Sequence, residues 1–242
     1  MRRLFTFGCS FTNYYWSTWA DCLAPEFDYF ENWGQSGAGN QYIFNSVMEA
    51  DQRHNFTEND TVVVCWTNVL RDDRYVFGKW VTLGSVFNTP IYTKEFVTQH
   101  VDPRGYLLRD IALVKATKAL LENKPGLRWK FISMVPLTLA DVFDDRDLGD
   151  ADIVELYKDV LDSVLPSYYS TLRPKGWSSP RPNWAFNHDD HPSPVEHLEY
   201  LDTILPGWVT KAETRVKIQQ EQNNLNTGNF IKRSGMTKVT RL

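Results

Sequence analysis

The chain has 242 residues, 42% of them apolar, and a formal net charge of −4. That suits one large α/β domain with a buried core and excludes the strongly basic footprint of a general nucleic-acid binder. Three cysteines, an odd number, argue against a disulfide framework and for a reducing compartment. Too few apolar residues follow Arg2 and Arg3 for a signal-peptide core, and no uncharged apolar run is long enough to cross a bilayer, so a cytoplasmic product with no membrane partner is expected.

Strand and helix patterns alternate along the chain. Arg3–Gly8 reads as a strand, Asn13–Leu23 as a helix, Phe27–Trp33 as a strand and Gly39–Asp51 as a helix. Thr61–Trp66 is a third strand. The aromatic and β-branched stretch between Tyr75 and Arg104 fits the alternation poorly and reads as an insertion, about residues 76–104. Leu107–Asn123 is then a helix, Arg128–Pro136 a strand, and Asp152–Leu165 and Pro194–Leu205 helices, the last stopped by Pro206-Gly207. The order predicts a mainly parallel sheet covered by helices over residues 1–212. Residues 213–242 form a tail with six Lys or Arg against two acidic residues, where the body holds 20 against 28. Lys211–Gln222 reads as a polar helix, and the composition beyond it as disordered in isolation.

In an open parallel sheet, ligands bind beyond the carboxyl ends of the strands, so the loops there carry the chemistry. Ser10 follows the first strand and opens the first predicted helix, where free backbone N–H groups favour developing negative charge. Asn32-Trp33-Gly34-Gln35-Ser36-Gly37-Ala38-Gly39-Asn40 follows the second, with glycines that admit a ligand close to backbone amides. Trp66-Thr67-Asn68 follows the third. Before the last helix of the body comes His188-Asp189-Asp190-His191-Pro192-Ser193-Pro194. Each block alone also has a plain structural use: Ser10 as a helix cap, the glycines as a turn, Asn68 as a strand-end turn residue, and Ser193-Pro194 as a helix start.

Taken together and in this order, the four blocks resemble the SGNH (GDSL-like) hydrolase family, over about residues 1–209. The matches are Ser10, Gly37 within Asn32-Trp33-Gly34-Gln35-Ser36-Gly37, Asn68, and Asp189 with His191. Cys9 stands where that family has Asp, Trp66 where its third block has Gly, and Val69 where it has a second Asp. The resemblance implies a flavodoxin-like three-layer α/β/α sandwich and cofactor-free, metal-free ester hydrolysis. It also implies a triad of Ser10, His191 and Asp189, with Asp190 as the alternative acid, and an oxyanion hole from the Ser10 and Gly37 amides and the Asn68 side chain. The chemistry needs these types: a serine hydroxyl is a weak nucleophile until an imidazole takes its proton, and the imidazole needs an acceptor to fix its tautomer.

Other readings compete. His188, His191 and His197 with Asp189 and Asp190 could bind a divalent metal, which a chelator would reveal. Cys9 should point away from Ser10 and pack. Among nine tryptophans, Trp80, Trp177 and Trp184 are candidate substrate walls. They tilt the substrate from long-chain lipid toward a small acyl ester or an acylated glycan. Arg71 and Arg74 are candidates for an acidic substrate group; they could instead pair with Asp72 and Asp73. A second class of function is a structural or attachment component of a larger, even virion-associated, assembly on an esterase-like fold, with the tail engaging a protein partner or a second copy.

Overall fold

β1 needs a sheet covered on both sides, because its residues alternate Leu4 and Thr6 with Phe5 and Phe7, all fully buried. The computed structural model describes residues 1–88, 91–139, 149–175 and 191–229. Its elements run β1 (Arg3–Phe7), α1 (Trp19–Leu23), β2 (Tyr29–Asn32), α2 (Asn40–His54), β3 (Asp60–Trp66), β4 (Arg71–Val76), β5 (Lys79–Ser85), α3 (Lys94–His100), α4 (Pro103–Glu122), β6 (Arg128–Ser133), α5 (Ala151–Leu156), α6 (Lys158–Leu161), α7 (Tyr168–Leu172), α8 (Pro194–Ile204) and α9 (Ala212–Asn226).

The main sheet has the order β2-β1-β3-β6, and every neighbouring pair is parallel. Beyond β6 a single parallel bridge, Phe131 to Val164, marks a fifth position that never becomes a strand. The register sets Phe5 beside Val62 and Val64 beside Phe131, so these side chains share a face. There Phe5 meets His54 at the end of α2, and α2 packs on α4. A second set of helices, α1, α7, α8 and α9, packs together. Tyr168 of α7 stacks on Tyr200 of α8 at 3.5 Å, close to Cys65 of β3. The protein is thus an α/β fold with a parallel sheet flanked by helices. The sheet reverses its winding between β1 and β3, the place where such sheets open a crevice.

Several elements differ from expectation for local reasons. The helix predicted from Asn13 starts only at Trp19, because Thr18 and Asp21 form a capping box and the Thr18 hydroxyl donates to Thr12 O at 2.7 Å. The inserted stretch begins earlier than expected, as the antiparallel hairpin β4–β5, followed by α3. The helix expected over Asp152–Leu165 breaks at Tyr157 into α5 and α6. The polar helix is present as α9 and is docked: Thr214, Ile218 and Leu225 are buried, against α8 and α1. No helix among the described residues is long and apolar enough to cross a membrane.

Candidate active site

The turn after β1 is held by sterics and by its neighbour loop. A Cβ on Gly8 would lie 2.1 Å from Thr12 Oγ1 and 3.0 Å from the Cys65 carbonyl, so only glycine lets the chain pass. Cys9 O then accepts from Thr12 N and Asn13 N, closing one isolated turn around Ser10. Ser10 therefore does not open a helix, and the helix N-terminal field expected there is replaced by the amides of a single turn. The loop after β2 is sewn to this turn. Asn32 Nδ2 donates to Thr12 O at 2.8 Å while its Oδ1 accepts from Gly34 N at 2.9 Å. Asn13 Nδ2 donates to Gly34 O, and Gln35 N to Gly8 O, each at 3.0 Å.

His191 arrives from the other end of the chain. Ser193 and Glu196 form the capping box of α8, with Pro194 in its first turn, and His191 lies two residues before that cap. Its Nε2 is 2.7 Å from Ser10 Oγ, and Ser10 is 5% exposed. Tyr14 stacks on the imidazole at 3.8 Å between centroids and 16° between planes. Phe11 lies on it at 5.4 Å. The Trp16 indole N–H donates to Pro192 O at 2.8 Å, which fixes the Pro192–Ser193 peptide next to the histidine. His197 is fully buried and bonds through Nδ1 to the Tyr168 hydroxyl at 2.8 Å.

Gly37 and Asn68 lie on the next loops. Gly37 has φ +75°, and a Cβ there would sit 2.5 Å from Thr82 O. Its carbonyl accepts from Gly84 N, and Ser36 O from the Thr82 hydroxyl, so hairpin β4–β5 backs this loop. Asn68 Oδ1 accepts from Leu70 N at 2.7 Å, an Asx turn. Among the described residues, Ser10 N, Gly37 N and Asn68 Nδ2 donate no hydrogen bond.

Two buried acids, Asp73 of β4 and Asp110 of α4, brace these loops. Asp73 accepts from Gly39 N and Tyr42 N, both at 2.8 Å, and so caps α2. Burial nevertheless pushes its carboxyl up to about 6. Asp110 accepts from Asn40 Nδ2 at 2.6 Å and Arg109 Nε at 2.7 Å, and burial pushes it up to about 7. Arg109 also donates to Arg71 O at 2.9 Å.

The structure thus brings Ser10 and His191 together and sets Gly37 and Asn68 on adjacent strand-end loops. Arg71 donates to Ala38 O at 2.9 Å, and Arg74 pairs with Asp72 at 2.9 Å. Trp80 is half-buried and meets Tyr42 and Tyr75 edge to face. Cys9 is buried. Asp189, Asp190, His188, Trp177 and Trp184 lie outside the described residues. Sequence reasoning missed Tyr14, Trp16 and Asn32. An Asn in the Asn-x-Gly run was a usable signal for the third, but nothing local marks the first two.

No protein-family model and no curated protein matches the chain significantly. Over most of its length the chain is structurally similar to GDSL lipolytic proteins and to an acetylxylan esterase. A lipolytic G-D-S-L family member from Veillonella parvula DSM 2008 aligns with 84% of this chain and 97% of its own, at 14% identity and TM-score 0.47. A variant of the acetylxylan esterase Axe2 from Geobacillus stearothermophilus aligns over 87% and 97%, at 17% identity and TM-score 0.46. An alpha/beta hydrolase from the metagenome of Lake Arreo, Spain, aligns over 87% and 97%, at 13% identity and TM-score 0.46.

Proposed function

We propose that the protein is a serine ester hydrolase with Ser10 as nucleophile and His191 as general base. The observation that carries this reading is the 2.7 Å approach of His191 Nε2 to Ser10 Oγ across 181 positions of sequence. Nucleophile and base at hydrogen-bond reach, with the imidazole held from behind, is the arrangement that activates a hydroxyl. Ser10 Oγ bonds to the ester carbonyl carbon while its proton passes to His191 Nε2. The tetrahedral centre then collapses, the C–O bond to the alcohol breaks, and His191 gives that oxygen the proton. Water repeats the sequence on the acyl-enzyme and releases the acid.

Two further roles complete the reading. The Nδ1 proton needs an acceptor, which sequence resemblance assigns to Asp189, with Asp190 as the alternative. The negative oxygen of the tetrahedral centre needs donors, and Ser10 N, Gly37 N and Asn68 Nδ2 are unused among the described residues. The substrate is a small acyl ester, and we assign its alcohol part to a carbohydrate. Trp80, half-buried on the hairpin behind Gly37, offers an aromatic surface that suits a sugar.

Hydrolysis of an aryl acetate by wild type and by Ser10→Ala tests the proposal. A fall of about a thousandfold or more, with an unchanged circular dichroism spectrum, is expected. Equal rates in the two proteins would refute it and leave the structural or attachment class.

A further inference from the structure

The basic C-terminal segment looks separable in the sequence, yet its helix reaches the histidine through a short chain of contacts. Leu225 of α9 is 1% exposed and packs against the fully buried Trp16, with Tyr14 against the pair. Trp16 meets Tyr14 edge to face at 4.5 Å and 84°, and Tyr14 stacks on His191. The same Trp16 indole holds the Pro192 carbonyl. A second tie runs alongside, because Ser17 N donates to Glu221 Oε1 of α9 at 3.0 Å. The intervening loop, residues 13–18, has no helix of its own to stiffen it.

We propose that α9 is a positioning element for His191, acting through Leu225 and Trp16. The proposal rests on the hydrolase reading for its catalytic consequence. α9 is a polar helix with three buried residues, of which Ile218 joins the main core and Leu225 packs on Trp16. Its apolar contact at Leu225 falls on the loop that carries Tyr14, whose ring stacks on the imidazole. With α9 in place, Trp16 is packed from behind and its N–H stays on Pro192 O. Without it, Trp16 loses the buried Leu225, and both the Tyr14 face and the Pro192–Ser193 peptide beside His191 lose their support. A displaced base has a disproportionate effect, since misplacement on the order of 1 Å costs about a hundredfold in rate.

The test uses the full chain with Leu225→Ala, the conservative Leu225→Met, and Val216→Ala, an exposed position on the same helix, as control. The readouts are kcat and KM for an aryl acetate and the imidazole NMR resonances of His191 against those of the buried His197. Leu225→Ala is expected to lower kcat about 10- to 100-fold with KM little changed. It should also move the His191 resonances and leave those of His197 in place. Leu225→Met should restore both, and Val216→Ala should match wild type. A folded Leu225→Ala with wild-type kcat and unmoved His191 resonances overturns the proposal. Should that variant fail to fold, Trp16→Phe keeps a ring against Leu225, deletes the N–H to Pro192, and carries the same expectation. If wild type shows no Ser10-dependent hydrolysis, the hydrolase reading falls by itself, and the His191 resonances still decide the coupling to α9.

Discussion

Asn40 grips Thr67 on both backbone groups: its Oδ1 accepts from Thr67 N at 2.8 Å and its Nδ2 donates to Thr67 O at 3.0 Å. The first residue of α2 thereby fixes the loop after β3, one position before Asn68. Asp110 takes a bond from the same amide. Asn40→Ala removes every one of these contacts in a fully buried place, leaves the Thr67 N–H and carbonyl without partners, and leaves Asp110 with only Arg109. It should cost about 2–4 kcal/mol, read from urea midpoints. A loss below about 0.5 kcal/mol would show that the clasp contributes nothing.

Asn68→Asp separates two uses of one side chain. The new carboxylate still accepts from Leu70 N, so the turn should survive, but the Nδ2 donor is gone and a negative charge takes its place. If Asn68 serves the oxyanion, kcat should fall about 100- to 1,000-fold with an unaltered melting temperature. Unaltered kcat would remove Asn68 from the site.

Gly37→Ala tests the backing of the second loop by the hairpin. The residue has φ +75°, and the added Cβ would press on Thr82 O at 2.5 Å. A destabilisation of about 1–3 kcal/mol is expected, with a fall in kcat larger than that of Gly78→Ala at the hairpin tip, where a Cβ meets nothing. Equal kcat for the two variants would contradict the assignment.

The buried acids make a pH prediction. Burial raises Asp110 to about 7 and Asp73 to about 6, above the value of about 4 of an unfolded aspartate. Between about pH 4 and 7 the native state therefore binds more protons than the unfolded one, and stability falls as pH rises through that window. The contribution is full below about pH 4 and lost above about pH 7. Asp110→Asn should lose less stability than wild type between about pH 5 and pH 8 in urea titrations. Parallel losses would show that Asp110 ionises normally.

Most of the sheet was legible because its strands are short apolar runs: β1, β3 and β6 begin within one residue of their expected starts. Ser10 and His191 were legible as residues because each stands beside a boundary, a strand end or a helix cap. The loop between them was not. Trp16, Trp19 and Leu23 sit at three- and four-residue spacings that read as one helical face, but Trp16 and its neighbour Tyr14 face Leu225 and His191, partners about 210 and 180 positions away. Hairpin β4–β5 begins with Arg-Asp-Asp-Arg, a run that reads as a charged loop. It holds a strand because Asp73 is committed to the amides of α2 and Arg71 to the Ala38 carbonyl. The docking of α9 was not legible for the same reason, since Leu225 lies beyond the helix read over Lys211–Gln222, in a run of Gln and Asn, and its meaning lies in Trp16.

The central claim is that Ser10 is an activated nucleophile. Incubation of the wild-type protein with a fluorophosphonate, followed by peptide mass spectrometry, tests it most directly. A single stoichiometric adduct on Ser10, formed far more slowly in His191→Ala, is expected. An unlabelled Ser10 in folded protein, or equal labelling of Ser10 with and without His191, would contradict it.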